Sequence, residues 1–289
     1  MRTKTLPSTI IKFLTTDGLE MYGALFKSKT NNRKIIIHEH GMCGNFYSSS
    51  LILDLAEGLQ KTKYDLLSVN NRGSGFINRF QKGKKKVQIG TAFEKFEECI
   101  KDIDSAIKVA TELGYKEIIL SGHSTGSQKV TYYQAKKKNK KVKALLLLAP
   151  ADDYNLQIIE NGKKFGKIVN LAKQMVKGGK GEKQLTCVKN KYSAKRYLSL
   201  VDPKMVEMQL FNYSGKLKLF STLTCPILAM FGSKEEATNI TPGEMLEILL
   251  EKSNSKNLIT VEVYGANHQF KGYEKETVEN IIGFLEQLE

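Results

Sequence analysis

The sequence contains no run of about 18 consecutive apolar residues, the length that a helix needs to cross a bilayer. Nor does the N-terminal segment from Met1 to Ile10 resemble a secretory leader, since it carries Arg2, Lys4 and Pro7 with no apolar stretch behind them. These absences exclude the common membrane-spanning and secreted classes. We therefore expect a cytoplasmic protein without a membrane span.

Cysteine and histidine are both scarce, with four residues of each in 289. The cysteines at positions 43, 99, 187 and 225 form no CxxC pair, which argues against a structural zinc site and a disulfide framework. His38 and His40 have the spacing of a metal pair, but no further ligands follow at metal-site spacing. We expect reduced thiols, packing of both histidines at a strand end, and neither a metal nor an organic cofactor.

Acidic residues are in the minority, since 30 Asp and Glu stand against 45 Lys and Arg and the formal net charge is +15. Such an excess can mark binding to nucleic acid or to an anionic membrane. The lysines are spread along the chain, however, and the dense clusters Lys82–Lys86 and Lys136–Lys143 have no interleaved aromatic residues to stack on bases. The charge indicates a solvated basic surface and no nucleic-acid partner, with an anionic substrate as a weaker alternative.

Short apolar runs alternate with helical patterns along most of the chain. Residues Ile10 to Lys27 alternate around Asp17-Gly18, which is typical of two antiparallel strands joined by a tight turn. Six buried strands are predicted at 34–38, 64–69, 117–120, 142–148, 226–231 and 258–264. Helices are predicted at 50–60, 96–110, 127–137, 242–250 and 274–288, and the fourth should begin with a capping box, because Thr-Pro-Gly-Glu at 241–244 has a glutamate three residues after the cap. This rhythm predicts an α/β fold with a mostly parallel, eight-stranded sheet flanked by helices.

One long segment interrupts this alternation of predicted strands and helices. Residues Ala151 to Thr224 separate two predicted strands by far more than a crossover helix needs. We expect an inserted helical cap at 151–224 and a core built from 1–150 and 225–289.

The most specific motif is Gly-His-Ser-Thr-Gly at 122–126, a G-x-S-x-G run between a predicted strand and a predicted helix. A sharp strand-to-helix turn strains the serine backbone and leaves its hydroxyl exposed at the sheet edge, which predicts Ser124 as a nucleophile. The helix start also aims the Thr125 N–H at the position of an oxyanion. The alternative is a tight turn that merely needs small residues.

A second oxyanion donor is expected in the loop His-Gly-Met-Cys-Gly at 40–44, which follows the first strongly apolar strand. Our candidate is the Met42 N–H. An ordinary glycine-containing loop after a strand explains this segment equally well.

These motifs resemble the α/β-hydrolase superfamily over most of the chain except the cap. The runs at 40–41, 71–75 (Asn-Arg-Gly-Ser-Gly) and 122–126 stand in the order that the superfamily shows. More narrowly, the segments 40–47, 69–73 and 96–99 are similar to a poorly characterised branch that includes fungal siderophore-ester hydrolases. The resemblance implies an α/β-hydrolase fold and esterase activity, without fixing a substrate.

A serine nucleophile needs an imidazole to take its proton. His123 should point away from the serine hydroxyl, and His38 and His40 belong to an early strand. His268 lies just after the last predicted strand, where the superfamily places its base. A loop histidine satisfied by backbone groups is the competing interpretation.

The third member should be a carboxylate that orients the imidazole. After the strand 226–231 the chain reads Gly-Ser-Lys-Glu-Glu at 232–236. The superfamily pattern has an aspartate three residues after such a glycine, and here that residue is Glu235. Glu236 is an alternative, as are Asp152 and Asp153 after the preceding strand.

The resulting hypothesis is a serine hydrolase that cleaves a small-molecule carboxylic ester through an acyl-enzyme, with Ser124, Glu235 and His268 as the triad. A thioesterase, an amidase or an acyltransferase would use the same residues. A non-catalytic binding protein with this fold is the alternative from another class. The sequence leaves the oligomeric state open.

Five residues of the predicted cap have two interpretations, lining of the pocket or packing in a helical face. They are Phe165, Met175, Tyr192, Tyr197 and Phe211.

Overall fold

A computed structural model describes residues 5–30, 33–236 and 238–288, and these residues form ten strands. In chain order the strands are β1 Thr9–Leu14, β2 Glu20–Phe26, β3 Lys34–Glu39, β4 Tyr64–Val69, β5 Asn78–Lys82, β6 Lys85–Ile89, β7 Glu117–His123, β8 Val142–Leu148, β9 Ile227–Lys234 and β10 Leu258–Asn267. Eight of them form one sheet in the order β1-β2-β4-β3-β7-β8-β9-β10. The two pairings that involve β2 are antiparallel and the other five are parallel. The predicted sheet and its N-terminal hairpin are confirmed.

The central strands are apolar because helices cover both faces of a parallel sheet. Ile35, Ile36 and Ile37 of β3 are fully buried, and so are residues 145–148 of β8. Successive side chains of a strand point to opposite faces, so a run without polar positions needs burial on both sides. This is why short apolar runs were sufficient to locate the strands.

Eight helices accompany the strands in the described part of the chain. They are α1 Ser50–Gly58, α2 Cys99–Glu112, α3 Thr125–Lys137, α4 Asp153–Asn161, α5 Phe165–Lys177, α6 Ala194–Val201, α7 Pro242–Lys252 and α8 Glu274–Glu286. Helix α1 packs against α8, and α2 packs against α3. Helix α7 begins with the capping box that its sequence predicts, because the Thr241 hydroxyl and the Glu244 carboxylate each bond the other residue's backbone N–H.

The long segment between β8 and β9 holds α4, α5 and α6. Ile168, Ala172 and Tyr197 belong to an apolar cluster that is separate from the main core. Phe211 and Phe220, by contrast, pack in the main core. The segment is thus helical but not a single body, and the division at residues 151 and 224 stays a prediction.

Strands β5 and β6 form a separate two-stranded hairpin that the apolar pattern did not predict. Its turn contains Gly83 in a left-handed conformation, with φ 58°. Residues 82–86 are exposed, which confirms the solvated character expected for the first lysine cluster. None of the described helices combines the length and apolarity that crossing a bilayer would require.

Candidate active site

Ser124 occupies a strained turn between the end of β7 and the start of α3, with φ 56° and ψ −125°. Its N–H donates to the Leu148 carbonyl at the end of β8, over 2.8 Å. A Cβ at position 122 would lie 2.3 Å from the Gly126 carbonyl carbon, and one at 126 would lie 2.1 Å from the Glu39 oxygen. Both glycines are therefore required by close backbone approach, as the motif predicts.

The serine opens into a pocket of ≈ 340 Å³ at the carboxyl edge of the sheet. Gly41 lies against the serine, since a Cβ there would be 2.8 Å from Ser124 Cβ. Ser124, His268, Glu235, Met42 and Thr125 all line this pocket. The structure thus gathers all five predicted site residues around one cavity.

Two backbone N–H groups beside the serine are free to hold an anion. Thr125 is the first residue of α3, where the helix offers its N–H no acceptor. Within the described ranges the Met42 N–H donates to no backbone or side-chain acceptor, whereas the next N–H, of Cys43, donates to Thr91 Oγ1 over 2.8 Å. The loop therefore leaves Met42, and not Cys43, available as a donor.

His268 follows the last residue of β10 and contacts the predicted acid. Its Nδ1 lies 2.8 Å from Glu235 Oε2, and the side chains of His268 and Glu235 are 20% and 4% exposed. Because a carboxylate accepts, Nδ1 carries the hydrogen and Nε2 is left to take a proton. Ser124 Oγ makes no hydrogen bond within the described part of the chain, and the contact between a nucleophile and its base often forms only when substrate binds.

The pKa of His268 reflects two opposed influences. Burial is the larger single one and lowers the pKa, but the hydrogen bond and the charge of Glu235 raise it, with help from Glu236 and Asp153. The raising influences together prevail, so the pKa lies above its ordinary value of 6.5. An imidazole in this environment is a stronger base than an isolated one.

The other carboxylates that the sequence offered as acids have different partners. Glu236 accepts a hydrogen bond from the backbone N–H of His268 at 3.3 Å. Asp152 caps α4 and accepts from Asn155 and from the Tyr213 N–H. Asp153 accepts from Gln128 Nε2 at 2.7 Å. Among these four candidates, Glu235 is the one that contacts the imidazole.

His123 holds the loop that carries His268, a role that sequence reasoning missed. Its Nε2 lies 2.8 Å from the His268 carbonyl oxygen, so the ring donates and Nε2 carries the hydrogen. Burial, followed by the charge of His268, lowers the pKa of His123 to about 3, which keeps the ring neutral. A histidine beside a nucleophile gives no sequence signal of such a contact across 145 residues.

His38 and His40 are buried at the end of β3, which confirms that they pack there. His38 Nδ1 lies 2.9 Å from Ser121 Oγ. His40 Nδ1 donates to the Gly41 carbonyl at 2.7 Å, which leaves Nε2 to accept from the Ser74 hydroxyl. His40 thereby fixes the loop that presents Met42. The described residues include no cluster of three or more metal-ligating side chains.

One of the five predicted cap residues reaches the pocket. Tyr192 lines the pocket and places its hydroxyl 3.6 Å from Met42 Sδ. Phe165, Met175 and Tyr197 pack in the second apolar cluster, and Phe211 packs in the main core. For those four, the packing interpretation is the one the structure supports.

A buried ionic network lies beside the site and was not predicted. Lys129 of α3 is 2.8 Å from Glu94, and Arg196 of α6 is 3.5 Å from the same carboxylate. Arg196 also pairs with Glu207. All four side chains are at most 2% exposed, so the network ties the helix after Ser124 to the segment between β8 and β9. Charged residues distant in sequence carry no signal of such pairing.

Comparison with known proteins gives one family and many solved structures. The family described as "Protein of unknown function (DUF1749)" matches residues 1–286. A search of curated proteins returned no match.

Three solved structures illustrate the similarity. The siderophore hydrolase EstB from Aspergillus fumigatus is 17% identical with a TM-score of 0.72, and 100% of each chain is covered. Est1E from Butyrivibrio proteoclasticus, solved with bound ferulic acid, is 19% identical with a TM-score of 0.69, and the match covers 96% of this chain and 98% of the Est1E chain. A monoacylglycerol lipase from Paleococcus ferrophilus is 21% identical with a TM-score of 0.63, and the match covers 93% of this chain and 99% of the lipase chain. The fold of the chain is that of the α/β-hydrolases, as its motifs predicted.

Proposed function

This chain belongs to the family described as "Protein of unknown function (DUF1749)", and we propose that it is a serine hydrolase that cleaves a carboxylic ester through an acyl-enzyme on Ser124. One observation carries the proposal. Ser124, His268 and both candidate oxyanion donors line one pocket, and His268 Nδ1 is 2.8 Å from Glu235. This is the set of groups that acyl transfer from an ester requires.

The first half of the reaction forms the acyl-enzyme. Ser124 Oγ attacks the ester carbonyl carbon while His268 Nε2 takes the hydroxyl proton. The carbonyl oxygen becomes an oxyanion, which the N–H groups of Met42 and Thr125 hold. The intermediate then expels the alcohol, which leaves with the proton from His268. Glu235 keeps the imidazole oriented and stabilises its positive charge.

The second half releases the acid. Water attacks the acyl carbon and gives a proton to His268, and a second oxyanion forms at the same two N–H groups. When this intermediate collapses, the Ser124–acyl bond breaks and the proton returns to Ser124 Oγ. No metal or organic cofactor takes part in these steps.

The size of the pocket favours small substrates. A volume of ≈ 340 Å³ lies at the lower end of the range for small-molecule sites, which is roughly 300 to 1,000 Å³. Tyr192, Asn190 and Leu156 line it from the segment between β8 and β9. We infer that this segment acts as a cap that shapes the acyl or alcohol site.

The similar structures also favour ester chemistry over the alternatives. EstB is described as a siderophore hydrolase and another as a monoacylglycerol lipase, and Est1E was solved with ferulic acid. Those descriptions belong to proteins at most 21% identical, so they point to the reaction class rather than to a substrate.

A panel of substrates tests the proposal. We expect nitrophenyl esters with short acyl chains to be cleaved faster than long-chain esters, and esters faster than matched anilides. Ser124→Ala should abolish turnover, while Ser221→Ala should leave it unchanged, since Ser221 bonds the Leu217 carbonyl away from the pocket. Preference for the anilide, or activity retained in Ser124→Ala, would refute the proposal.

A further inference from the structure

The pocket differs in charge from the rest of the protein. Lys and Arg make up 45 of the 289 residues, yet within the described part of the chain none lines the pocket. Three carboxylates do line it, those of Asp152, Asp153 and Glu235. A basic protein therefore presents an acidic pocket, which disfavours the anionic substrate that the net charge had left open.

Two of these carboxylates are already engaged. Glu235 binds the imidazole of His268. Asp152 accepts hydrogen bonds through both oxygens, Oδ1 from the Asn155 N–H and Oδ2 from the Asn155 side chain and the Tyr213 N–H. These contacts fix a histidine and a helix end, and they need no ligand.

The third carboxylate, of Asp153, is only half satisfied. Asp153 is 6% exposed and opens α4. Its Oδ2 accepts from Gln128 Nε2 at 2.7 Å and lies 3.5 Å from Thr125 Oγ1. Its Oδ1 accepts no hydrogen bond from the described residues. Because Asp153 lines the pocket and this oxygen is not fully enclosed by protein, a donor that enters the pocket can reach it.

Nor does Asp153 have a cation of its own. No ion pair within 4.0 Å joins it to a described residue, and the nearby guanidinium of Arg196 is held by Glu207 and Glu94. Burial, and then repulsion by Glu207, raises the pKa of Asp153 to about 7, against the attraction of Arg196. Asp152 acts in the same direction as Glu207. A cation brought into the pocket would relieve this repulsion and stabilise the carboxylate.

We propose that Asp153 is a specificity-determining residue that binds a protonated amine of the substrate. The site then takes esters whose alcohol or acyl part carries a cationic nitrogen. Because Asp153 Oδ2 is 3.5 Å from Thr125 Oγ1, and the Thr125 N–H is a proposed oxyanion donor, a short linker joins the amine to the ester carbonyl. This inference rests on the proposed ester hydrolysis for its substrate, but the cation site can be tested separately.

Pairs of esters that differ only in charge test the kinetics. On the alcohol side the pair is 2-(dimethylamino)ethyl and 3-methylbutyl butyrate, and on the acyl side it is ethyl 4-(dimethylamino)butanoate and ethyl 5-methylhexanoate. For at least one pair we expect kcat/KM to be roughly tenfold higher for the cationic member, the size of a charge-assisted hydrogen bond. Equal values within both pairs in the wild-type enzyme would overturn the proposal without the need for any variant.

Variants locate the effect. Asp153→Asn keeps an acceptor for Gln128. It should remove the preference for the cationic ester by lowering kcat/KM for that ester alone. Glu117→Gln removes the same charge from the opposite end of β7, outside the pocket, and should keep the preference. If Asp153→Asn slows both members equally, Asp153 supports catalysis or folding rather than recognition, and the proposal fails.

Binding to Ser124→Ala separates this inference from the proposed function. Calorimetric titration of that variant with the same four esters reports affinity without turnover. The cation site is supported if a cationic ester has a roughly tenfold lower dissociation constant than its neutral partner and if the double variant Ser124→Ala/Asp153→Asn loses this difference. That result would support the cation site even if the wild-type protein cleaves no ester. Equal affinities for cationic and neutral esters contradict the cation site even if the wild-type protein cleaves both.

Discussion

At the scale of single residues, the site depends on missing side chains as much as on reactive ones. Gly122 and Gly126 each border another backbone so closely that a Cβ would collide with it, and a Cβ at Gly41 would collide with the side chain of Ser124. Gly122 and Gly126 allow the turn that carries Ser124. Gly41 brings the Met42 N–H beside the nucleophile, because it lies directly against Ser124. The motif is thus a packing requirement before it is a catalytic one.

Gly41→Ala tests this requirement. The new methyl would lie 2.8 Å from Ser124 Cβ and 3.0 Å from the His123 carbonyl, so the serine and the loop must move apart. Misplacement of about 1 Å predicts a roughly 100-fold loss of kcat/KM. Gly283→Ala in α8 is the matched control, because a Cβ there meets nothing within 4 Å. Steady-state kinetics that showed the same activity for both variants would contradict the assignment of the loop.

The pH profile tests His268. The base acts only when it is deprotonated, so kcat/KM should rise with pH and reach half its plateau above 6.5, because Glu235 raises the pKa of His268. Glu235→Gln removes that charge, so the midpoint should move to lower pH and the plateau should fall roughly 10³-fold.

Glu236→Gln is the control for the pH profile. Glu236 bonds the backbone N–H of His268 and not its ring, so the large loss of activity should be absent. A profile whose midpoint is the same in the wild-type enzyme and in Glu235→Gln would show that Glu235 does not act on the imidazole.

At the scale of helices and strands, local signals in the sequence predicted what local physics decides. Continuous apolar runs located the buried strands, and the capping box located the start of α7. The motif at 122–126 spans the end of β7 and the start of α3, the strand-to-helix turn that was expected, although α3 begins at Thr125 rather than at Ser127. Each of these features depends on neighbours within a few residues, which a sequence displays directly.

The features that escaped prediction depend on distant or polar contacts. The hairpin of β5 and β6 is lysine-rich and mostly exposed, so it lacks an apolar period. The contact of His123 with the His268 carbonyl joins residues 145 positions apart. The partners of Arg196 likewise come from other segments. The half-satisfied state of Asp153 could only be found once the structure had placed its neighbours.

Thr241→Ala tests the role of the capping box. The substitution removes the hydroxyl that accepts from the Glu244 N–H, so we expect a loss of about 1 kcal/mol in the free energy of unfolding. The kcat/KM should stay unchanged, because α7 contributes no residue to the pocket. Urea unfolding and steady-state kinetics measure the two effects. A fall in activity without a fall in stability would mean that α7 positions the neighbouring loop of Glu235.

At the scale of the whole molecule, buried charges join the core to the segment between β8 and β9. Arg196 of α6 is fully buried and pairs with Glu207 of the same segment and with Glu94 of the core. Glu94 also binds Lys129, which lies in α3 five residues beyond Ser124. The position of the proposed cap is therefore linked to the helix that holds the nucleophile.

Arg196→Met tests this link. The variant leaves the buried carboxylate of Glu207 without its cation, while Glu94 keeps its pair with Lys129. We therefore expect the free energy of unfolding to fall by about 3 kcal/mol. Its neighbour Lys195 pairs with Glu182 on the surface, where both side chains are at least 60% exposed. Lys195→Met should therefore change stability very little. Equal urea midpoints for the two variants would show that the network does not stabilise the fold.

The central claim is that Ser124 is an activated nucleophile, and labelling with a fluorophosphonate probe tests it most directly. The account predicts one adduct per chain, found by mass spectrometry on Ser124, absent in Ser124→Ala and strongly slowed in His268→Ala. An adduct on another residue, or none on the folded wild-type protein, would contradict it.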